Sequence, residues 1–376
     1  MIYLDYNATT PIDPVVLEAM LPYLRDRFGN PSSAHPYGVQ AKRAVELARE
    51  QVAELLGCSP EEIVFSGGGS ESDNHAIKGA AYASRGKGNH IITSMVEHPA
   101  VLNTCGFLER SGYRVTYLPV DSSGMVDPQD VLNALTNQTI LITIMHANNE
   151  VGTIQPIEQI GELAKSRGIL FHTDAAQSVG KIPVRLDALN ADLLTVAGHK
   201  LYAPKGVGAL FIRRGLSIEP LIHGAGHENA RRAGTENVSG IVGIGKAAEI
   251  ASATMEESAR SVRKLRDRLH KGIADHMQDV KLNGHAEMRL PNTLNLSFRG
   301  LDGASLLERM SGIAASLGSA CHDTSRELSP VLKAMGVGEE YGFGAVRFSL
   351  GRFTTEEEIE KAVEIIAKNA MISLEK

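Results

Sequence analysis

Three segments of this 376-residue chain carry side chains whose types and spacing could build one reaction centre. Lys200, in DLLTVAGHKLYAPKGVGALFIRR (192-214), stands between an apolar strand-like run and a Gly-rich turn that leads into another such run. An amine kept partly dry has a lowered pKa and can form a Schiff base with an aldehyde, whereas a loop lysine between two strands is the plainer reading of the same pattern. In ILFHTDAAQSVGK (169-181) a second apolar run delivers Asp174 and then Gln177, with Asp174 placed 26 positions before Lys200. A lysine for an aldehyde and a carboxylate for a pyridine nitrogen are the two groups that pyridoxal phosphate requires. The third segment, EEIVFSGGGSESDNHAIKGAAYA (61-83), takes a β-type run into three glycines, after which Ser70 opens a helical stretch with Glu71 and Asp73 in its first turn. Such a junction offers free backbone N–H groups and the positive end of a helix to a phosphate. It matches neither GxGxxG nor GxxxxGK[ST], so alone it is only a turn; beside Asp174 and Lys200 it becomes a phosphate cup.

These residues need a scaffold, and the spacing of apolar runs supplies one. Runs at 63-65, 90-94, 114-120, 139-146, 169-174, 192-197 and 208-213 alternate with helix-like stretches near 71-83, 99-110, 127-135 and 157-167. That alternation predicts an α/β unit with a mostly parallel sheet covered by helices on both faces. Beyond about residue 238 the texture changes: a long charged helical stretch (246-277), the strand-like TLNLSF (293-298), a helix candidate at 303-310 and a final acidic helix from Thr355. The expected organisation is a large α/β domain over 14-255 and a smaller α+β domain made of 1-13 and 256-376. The helix candidate 14-28 is expected to find cover against the smaller unit.

Composition narrows the function class. At 43% hydrophobic residues the chain can bury two cores, and a net charge of −6 with a pI near 6.1 argues against a general nucleic-acid binder. The sequence shows neither a basic leader followed by an apolar core nor an apolar run of bilayer length, which predicts a cytoplasmic protein with no membrane partner. Cysteines at 58, 105 and 321 form no CxxC pair and are too scattered for a disulfide framework or a metal site. Cys58 lies in a helix-to-strand connection and Cys105 on a helix, where both read as small packing residues. Cys321 differs, because ASLGSACHDTSRELSP (315-330) is dense in small and polar residues and predicts an exposed loop ahead of a helix start at Ser329-Pro330. A thiol held there can be a nucleophile if a neighbour such as His322 favours its thiolate; a chance surface thiol is the alternative.

Taken in order, YLDYNATTPIDP, FGNPSSAH, IVFSGGGSESDN, EHPA, MHANNEVGTIQPI, FHTDAAQSVGK, AGHKLYAPKGVGALFIRR, RRAGTEN, GSAC and RFSLGRFTTEEEI resemble the cysteine desulfurases of the NifS/IscS-like group, within the class V aminotransferase, fold-type I superfamily of pyridoxal-phosphate enzymes. The resemblance runs nearly end to end. It implies that Lys200 holds the cofactor aldehyde and moves protons, that Asp174 keeps the pyridine nitrogen protonated, and that His98 stacks on the ring as an acid or base. Asn149 and Gln177 would bond the ring substituents, Gly69, Ser70 and His199 the phosphate, and Arg347 the substrate carboxylate through its fork. Asn7, Ala8 and Thr9 would line the substrate pocket. Thr235 would reach the phosphate of a neighbouring subunit, implying a homodimer with shared active sites. L-cysteine would be the substrate, Cys321 would accept its sulfur as a persulfide, L-alanine would leave, and a protein acceptor would take the sulfur toward iron-sulfur clusters, tRNA thiolation or DNA sulfur modification. A selenocysteine lyase or another β-eliminating lyase would share the cofactor residues and use the loop differently.

The chain departs from the family pattern in three places. Gly69-Ser70 stands where Ala-Thr is usual, Ala197 where the family has Ser or Thr facing the phosphate, and His322-Asp323 where small polar residues follow the cysteine. Thr195, two residues before Ala197 on the same run, could replace the lost hydroxyl only through a backbone shift.

Overall fold

The computed structural model describes residues 1–317 and 327–374. Seven strands form the main sheet: β2 (Ile63–Ser66), β3 (His90–Ser94), β4 (Arg114–Leu118), β5 (Thr139–Thr143), β6 (Leu170–Asp174), β7 (Leu193–Ala197) and β8 (Gly208–Ile212), in the spatial order β2-β8-β7-β6-β5-β3-β4. Strands β4, β3, β5, β6 and β7 run parallel, while β8 runs against both of its neighbours. The expected mostly parallel α/β architecture is what the chain adopts. The strands read as near-continuous apolar runs because both faces are covered. Within β8, Ala209 and Phe211 pack into one core while Leu210 and Ile212 pack into another on the opposite face.

Helices α3 (Gly69–Ala83) and α4 (Pro99–Arg110) cover the face of Leu210. The face of Phe211 is covered by α1 (Pro14–Arg25), α2 (Pro36–Leu56), α6 (Ile157–Arg167) and the first half of a helix over Val238–His276, with α5 (Pro128–Ala134) joining at its edge. The alternation read from the sequence names no helix between 29 and 56, yet α2 is 21 residues long. Its inward stripe is Ala41, Ala44, Val45, Ala48, Val52 and Ala53, a pattern of helical period but low hydrophobic contrast. The stripe is small because the partner helix comes close: a Cβ on Gly245 would lie 2.5 Å from Ala48 Cβ.

Helix α1 corrects one expectation. Val16 and Met20 sit in the core of the large sheet and not against the smaller unit. Between the main elements lie two short turns, α7 (Leu186–Leu189) and α8 (His227–Ala230), the second holding Glu228, Asn229 and Ala230 at positive φ. That left-handed backbone is held by a buried ion pair, with Glu228 accepting from both guanidinium nitrogens of Arg49 at 2.7 and 2.9 Å and from the Phe65 amide at 2.9 Å.

A second core surrounds the antiparallel sheet of β12 (Ala345–Ser349), β10 (Thr293–Phe298) and β9 (Val280–Asn283). It is completed by the second half of the 39-residue helix α9 (Val238–His276), by α10 (Gly303–Arg309) and by α13 (Glu356–Leu374). The chain start belongs here too: β1 (Ile2–Tyr3) pairs in parallel with β11 (Ile313–Ala314), and Ile2 and Leu4 enter this core. Residues 5–13 then cross to the large sheet. Tyr6 N donates to Ser349 O at one end, and Thr10 N donates to His199 O and Asp13 N to Tyr202 O at the other. Short helices α11 (Pro330–Ala334) and α12 (Glu339–Gly342) precede β12.

Candidate active site

The carboxyl ends of the parallel strands deliver the candidate residues to one rim, as expected for open α/β sheets. Strand β7 ends in a single 3-10 turn, Gly198–Lys200, closed by Gly198 N donating to Val207 O and Leu201 N to Gly198 O. This turn fixes Lys200, whose ammonium donates to the Asn7 carbonyl. Burial and the nearby Arg347 charge push the Lys200 amine down to about 8 against the pull of Asp174 and Asp5, which brings its neutral form within reach just above neutral pH.

Asp174 ends β6, one strand over. Its carboxylate accepts from Ala176 N at 2.9 Å, and its backbone is tied on both sides, His146 N donating to its carbonyl and Ala175 N to Thr195 O. Burial raises its pKa; the Ala176 N–H and the charges of His98 and Lys200 oppose that rise. The Ala176 N–H and these positive groups therefore favour the anion against its burial. His98 caps helix α4, its Nδ1 accepting from Ala100 N at 3.1 Å, and burial lowers its pKa. The cap holds the ring in one orientation near Asp174 and Lys200.

Asn149 follows β5 in a turn organised by its neighbour: Asn148 accepts from Glu150 N and Val151 N and donates to Val96 O. The Asn149 carbonyl receives Arg347 Nη1 at 2.9 Å and Asn7 Nδ2 at 3.2 Å. Arg347 is buried in the middle of β12, opposite Asn295, and its other arm pairs with Asp5 at 2.8 Å. Gln177 is buried, donating to the Asn7 carbonyl at 3.0 Å and accepting from Lys181 at 2.8 Å.

The phosphate cup differs from the expected one by a residue. Helix α3 starts at Gly69, with Gly68 as its N-cap at φ 144, so the cap is a glycine and not Ser70, which lies exposed in the first turn. Only glycine adopts that backbone without strain, which is the local reason for glycine at position 68. A Cβ on Gly69 would lie 3.3 Å from Ala197 Cβ and 3.8 Å from the Thr195 methyl. The cup thus lies against the end of β7. His199 points its Nδ1 to the Thr9 hydroxyl at 3.2 Å, and burial with the surrounding lysines holds its pKa down to about 4, leaving it neutral. Thr235 is exposed and makes no hydrogen bond to these groups among the described residues. Cys321, like His322 and Asp323, lies outside the described residues. The flanks of its segment are placed: Ser316 exchanges backbone bonds with Arg347, and Ser329, which caps α11, donates to Glu150 at 2.5 Å. Cys58 packs at the edge of the large core and Cys105 is fully buried, with burial pushing both thiols up to about 12.

Comparison with known proteins decides the lineage. The aminotransferase class-V family matches residues 2–362. The chain belongs to the class-V aminotransferase family. Within this family, it is 53% identical over 367 residues to a cysteine desulfurase IscS from Methanosarcina thermophila, covering 97% of this chain and 91% of the relative. It is 51% identical over 368 residues to a cysteine desulfurase from Nostoc sp., covering 97% and 92%. A solved NifS-like protein superposes with a TM-score of 0.93 at 41% identity over 99% of both chains. A structure described as SspA in complex with cysteine gives 0.84 at 41% identity, covering 94% of this chain and all of that one.

Family membership makes the chain a fold-type I pyridoxal-phosphate enzyme, and the donor set fits that cofactor. A depressed amine, a buried carboxylate on the adjacent strand and a glycine-lined helix start set against the end of β7 are the three contacts that an aldehyde, a pyridine nitrogen and a phosphate require. The departure at Ala197 is uncompensated, because the Thr195 hydroxyl is engaged with His172 Nε2 at 3.1 Å and only its methyl faces Gly69. Sequence reasoning missed Asp5, Lys181, Asn292 and Thr293. Asn292 donates to Asn7 Oδ1 at 2.9 Å, while the Thr293 hydroxyl accepts from Asn7 Nδ2 at 2.8 Å. The strip NTLNLSF carried a signal for Asn292 and Thr293, since polar residues recur between Leu294, Leu296 and Phe298 along a strand that is buried throughout. Among the described residues no helix is long and apolar enough to cross a membrane, and no group of His, Cys, Asp and Glu could hold a metal ion.

Proposed function

We infer that the chain is a cysteine desulfurase, taking sulfur from L-cysteine to leave L-alanine and a persulfide on Cys321. The observation that carries this reading is the convergence of Lys200 and Asp174 from neighbouring strands with Arg347, brought from the other core by β12. When bound, pyridoxal phosphate supplies an electron sink that weakens the bonds around the substrate Cα and the Cβ–sulfur bond. Lys200 holds the cofactor and, once released, moves the proton at the substrate Cα; its lowered pKa suits it to give and take protons near neutrality. Asp174 would hold the pyridine nitrogen protonated. His98, fixed by its cap, would stack on the ring. The Asn149 and Gln177 amides would hold the ring substituents, while Gly69, Ser70 and His199 would hold the phosphate by neutral donors and the start of α3. Arg347 binds the substrate carboxylate beside Asn7.

Cys321 then attacks the substrate sulfur. An S–S bond forms, the Cβ–S bond breaks and Cβ takes up a proton, so L-cysteine and a thiol become L-alanine and a persulfide with no outside oxidant. Its segment leaves the described structure beside Arg347 and returns beside Glu150, which supports a thiol working at this rim. An acceptor protein would then take the sulfur. We assign the chain to a cytoplasmic homodimer in which Thr235 serves the partner's phosphate. In support, Thr235 is exposed, and the exposed aromatic rings of Phe28 and Tyr37 stack on each other at the surface, the kind of apolar feature that a partner subunit can cover. Incubation with L-cysteine and a dithiol, which reduces the persulfide to sulfide, should give alanine and sulfide in equal amounts, and Cys321→Ala should stop sulfide release while keeping the cofactor's visible absorbance. Sulfide at the wild-type rate from the variant would remove Cys321 from the reaction, and pyruvate in place of alanine would make the chain a β-eliminating lyase.

A further inference from the structure

A second lysine stands within this site. Lys181 follows Gln177 by four residues in a run of tight turns, where Ser178 N donates to Ala175 O and Lys181 N to Ser178 O. This backbone aims the Lys181 amine inward, 2.8 Å from Gln177 Oε1 and 3.4 Å from Asn7 Oδ1. No carboxylate forms an ion pair with it among the described residues. Burial, with the Lys200 and Arg347 charges adding to it, pushes its pKa well below the ordinary lysine range. A buried amine among cations and without a counterion is costly, and such cost marks functional sites.

The geometry around Gln177 shows what that cost could secure. A glutamine amide has two ends of nearly equal shape, so only its hydrogen-bond partners decide which end points where. The Asn7 carbonyl can only accept, and it takes Gln177 Nε2 at 3.0 Å; Lys181 approaches from the other side and occupies Oε1. Asn7 is itself locked by Asn292 and Thr293. With both ends held, the second Nε2 proton has a fixed direction.

We propose that Lys181 is a positioning residue for the cofactor ring: by holding Gln177 Oε1 it presents the remaining Gln177 N–H to the ring's phenolic oxygen. This rests on the cofactor assignment made above and acts through Gln177, without contact between Lys181 and the reacting atoms. The two amines divide the work, Lys200 for the aldehyde and Lys181 for the amide that orients the ring.

The test uses the full-length protein stripped of cofactor, with pyridoxamine phosphate as the probe, because it lacks the aldehyde and binds without joining Lys200. Lys181→Met should weaken pyridoxamine phosphate binding by about 3- to 10-fold, the worth of one aligned hydrogen bond. In a Gln177→Ala background the same substitution should change binding by less than about twofold, because its only route to the ring is gone. An unchanged affinity for Lys181→Met, or an equal loss in both backgrounds, would overturn the proposal. Should Lys181→Met fail to fold, side-chain amide NMR of wild-type Gln177 decides: two resolved, exchange-protected protons support it, and a rapidly exchanging, unprotected pair sinks it. Failure of the wild type to bind either pyridoxal or pyridoxamine phosphate would instead defeat the cofactor assignment.

Discussion

The carboxyl rim of the large parallel sheet and the small antiparallel sheet position their functional side chains by different means. On the large sheet Asp174 closes β6, and Lys200, His98 and Asn149 lie just past strand ends, each held by its own turn or cap. On the small sheet Arg347 lies inside β12, so its direction follows from strand pleat and from register opposite Asn295. A residue in a turn moves with the turn alone. A residue inside a strand cannot shift by one place without sending its side chain to the other face, so Arg347 is placed by the whole small core. The rim also places an amine whose charge can change near neutrality, whereas the small sheet contributes a permanently charged guanidinium.

Substitutions should separate the two modes. Lys200→Ala removes both the covalent attachment and the proton carrier, so sulfur release should fall by at least about 10²- to 10⁴-fold, and borohydride should fix no pyridoxyl group to the protein. If borohydride labels this variant as it does the wild type, position 200 does not hold the cofactor. Arg347→Lys keeps the charge and the strand but loses the fork; kcat/KM for L-cysteine should fall by about 10- to 100-fold, mostly through KM. A loss confined to kcat would instead assign Arg347 to the chemical step.

The two regions are coupled through charge, and pH exposes it. Only the deprotonated Lys200 amine attacks an aldehyde, so capture of pyridoxal phosphate by cofactor-free protein should rise about tenfold per pH unit below a midpoint near 8 and level off above it. Arg347 is among the causes that lower Lys200, so Arg347→Met should move that midpoint upward while Arg347→Lys leaves it in place. Stopped-flow absorbance across pH 6–10 would show whether the profile ignores position 347, which would break the coupling. The smallest effect is expected in the cup: Ala197→Ser restores a hydroxyl opposite Gly69 and should tighten cofactor binding by about 2- to 10-fold, measured by titration of the cofactor-free protein.

Much of this site is legible in the order of residues because its parts are local. Glycines at the end of an apolar run, an acid at the end of another and a lysine ahead of a Gly-rich turn each announce a strand-end device, and all three meet at one rim. The seven runs that become the main sheet are equally readable, since strands buried on both faces are apolar throughout. Helix α2 is not, because an alanine stripe that admits a close-packed neighbour shows little contrast with its polar side. The start of α3 shifts from Ser70 to Gly69 for a related reason: the residue that caps is chosen by backbone angle, and Gly68 at φ 144 meets that need where a serine side chain is not used.

The amino-acid sequence by itself therefore determined the parallel-sheet class and the strand-end setting of Lys200, Asp174 and the glycine turn, since each depends on neighbours a few positions away. Tertiary structure alone decided that residues 5–13 cross between the two cores, that Asn7 becomes the shared acceptor of Lys200 and Gln177, and that Lys181 lies among cations with no carboxylate paired to it among the described residues. Those contacts join positions up to 343 apart along the chain, Tyr6 and Ser349 being the farthest. No local pattern encodes them, because they arise only when two separately packed cores set the distance between their surfaces.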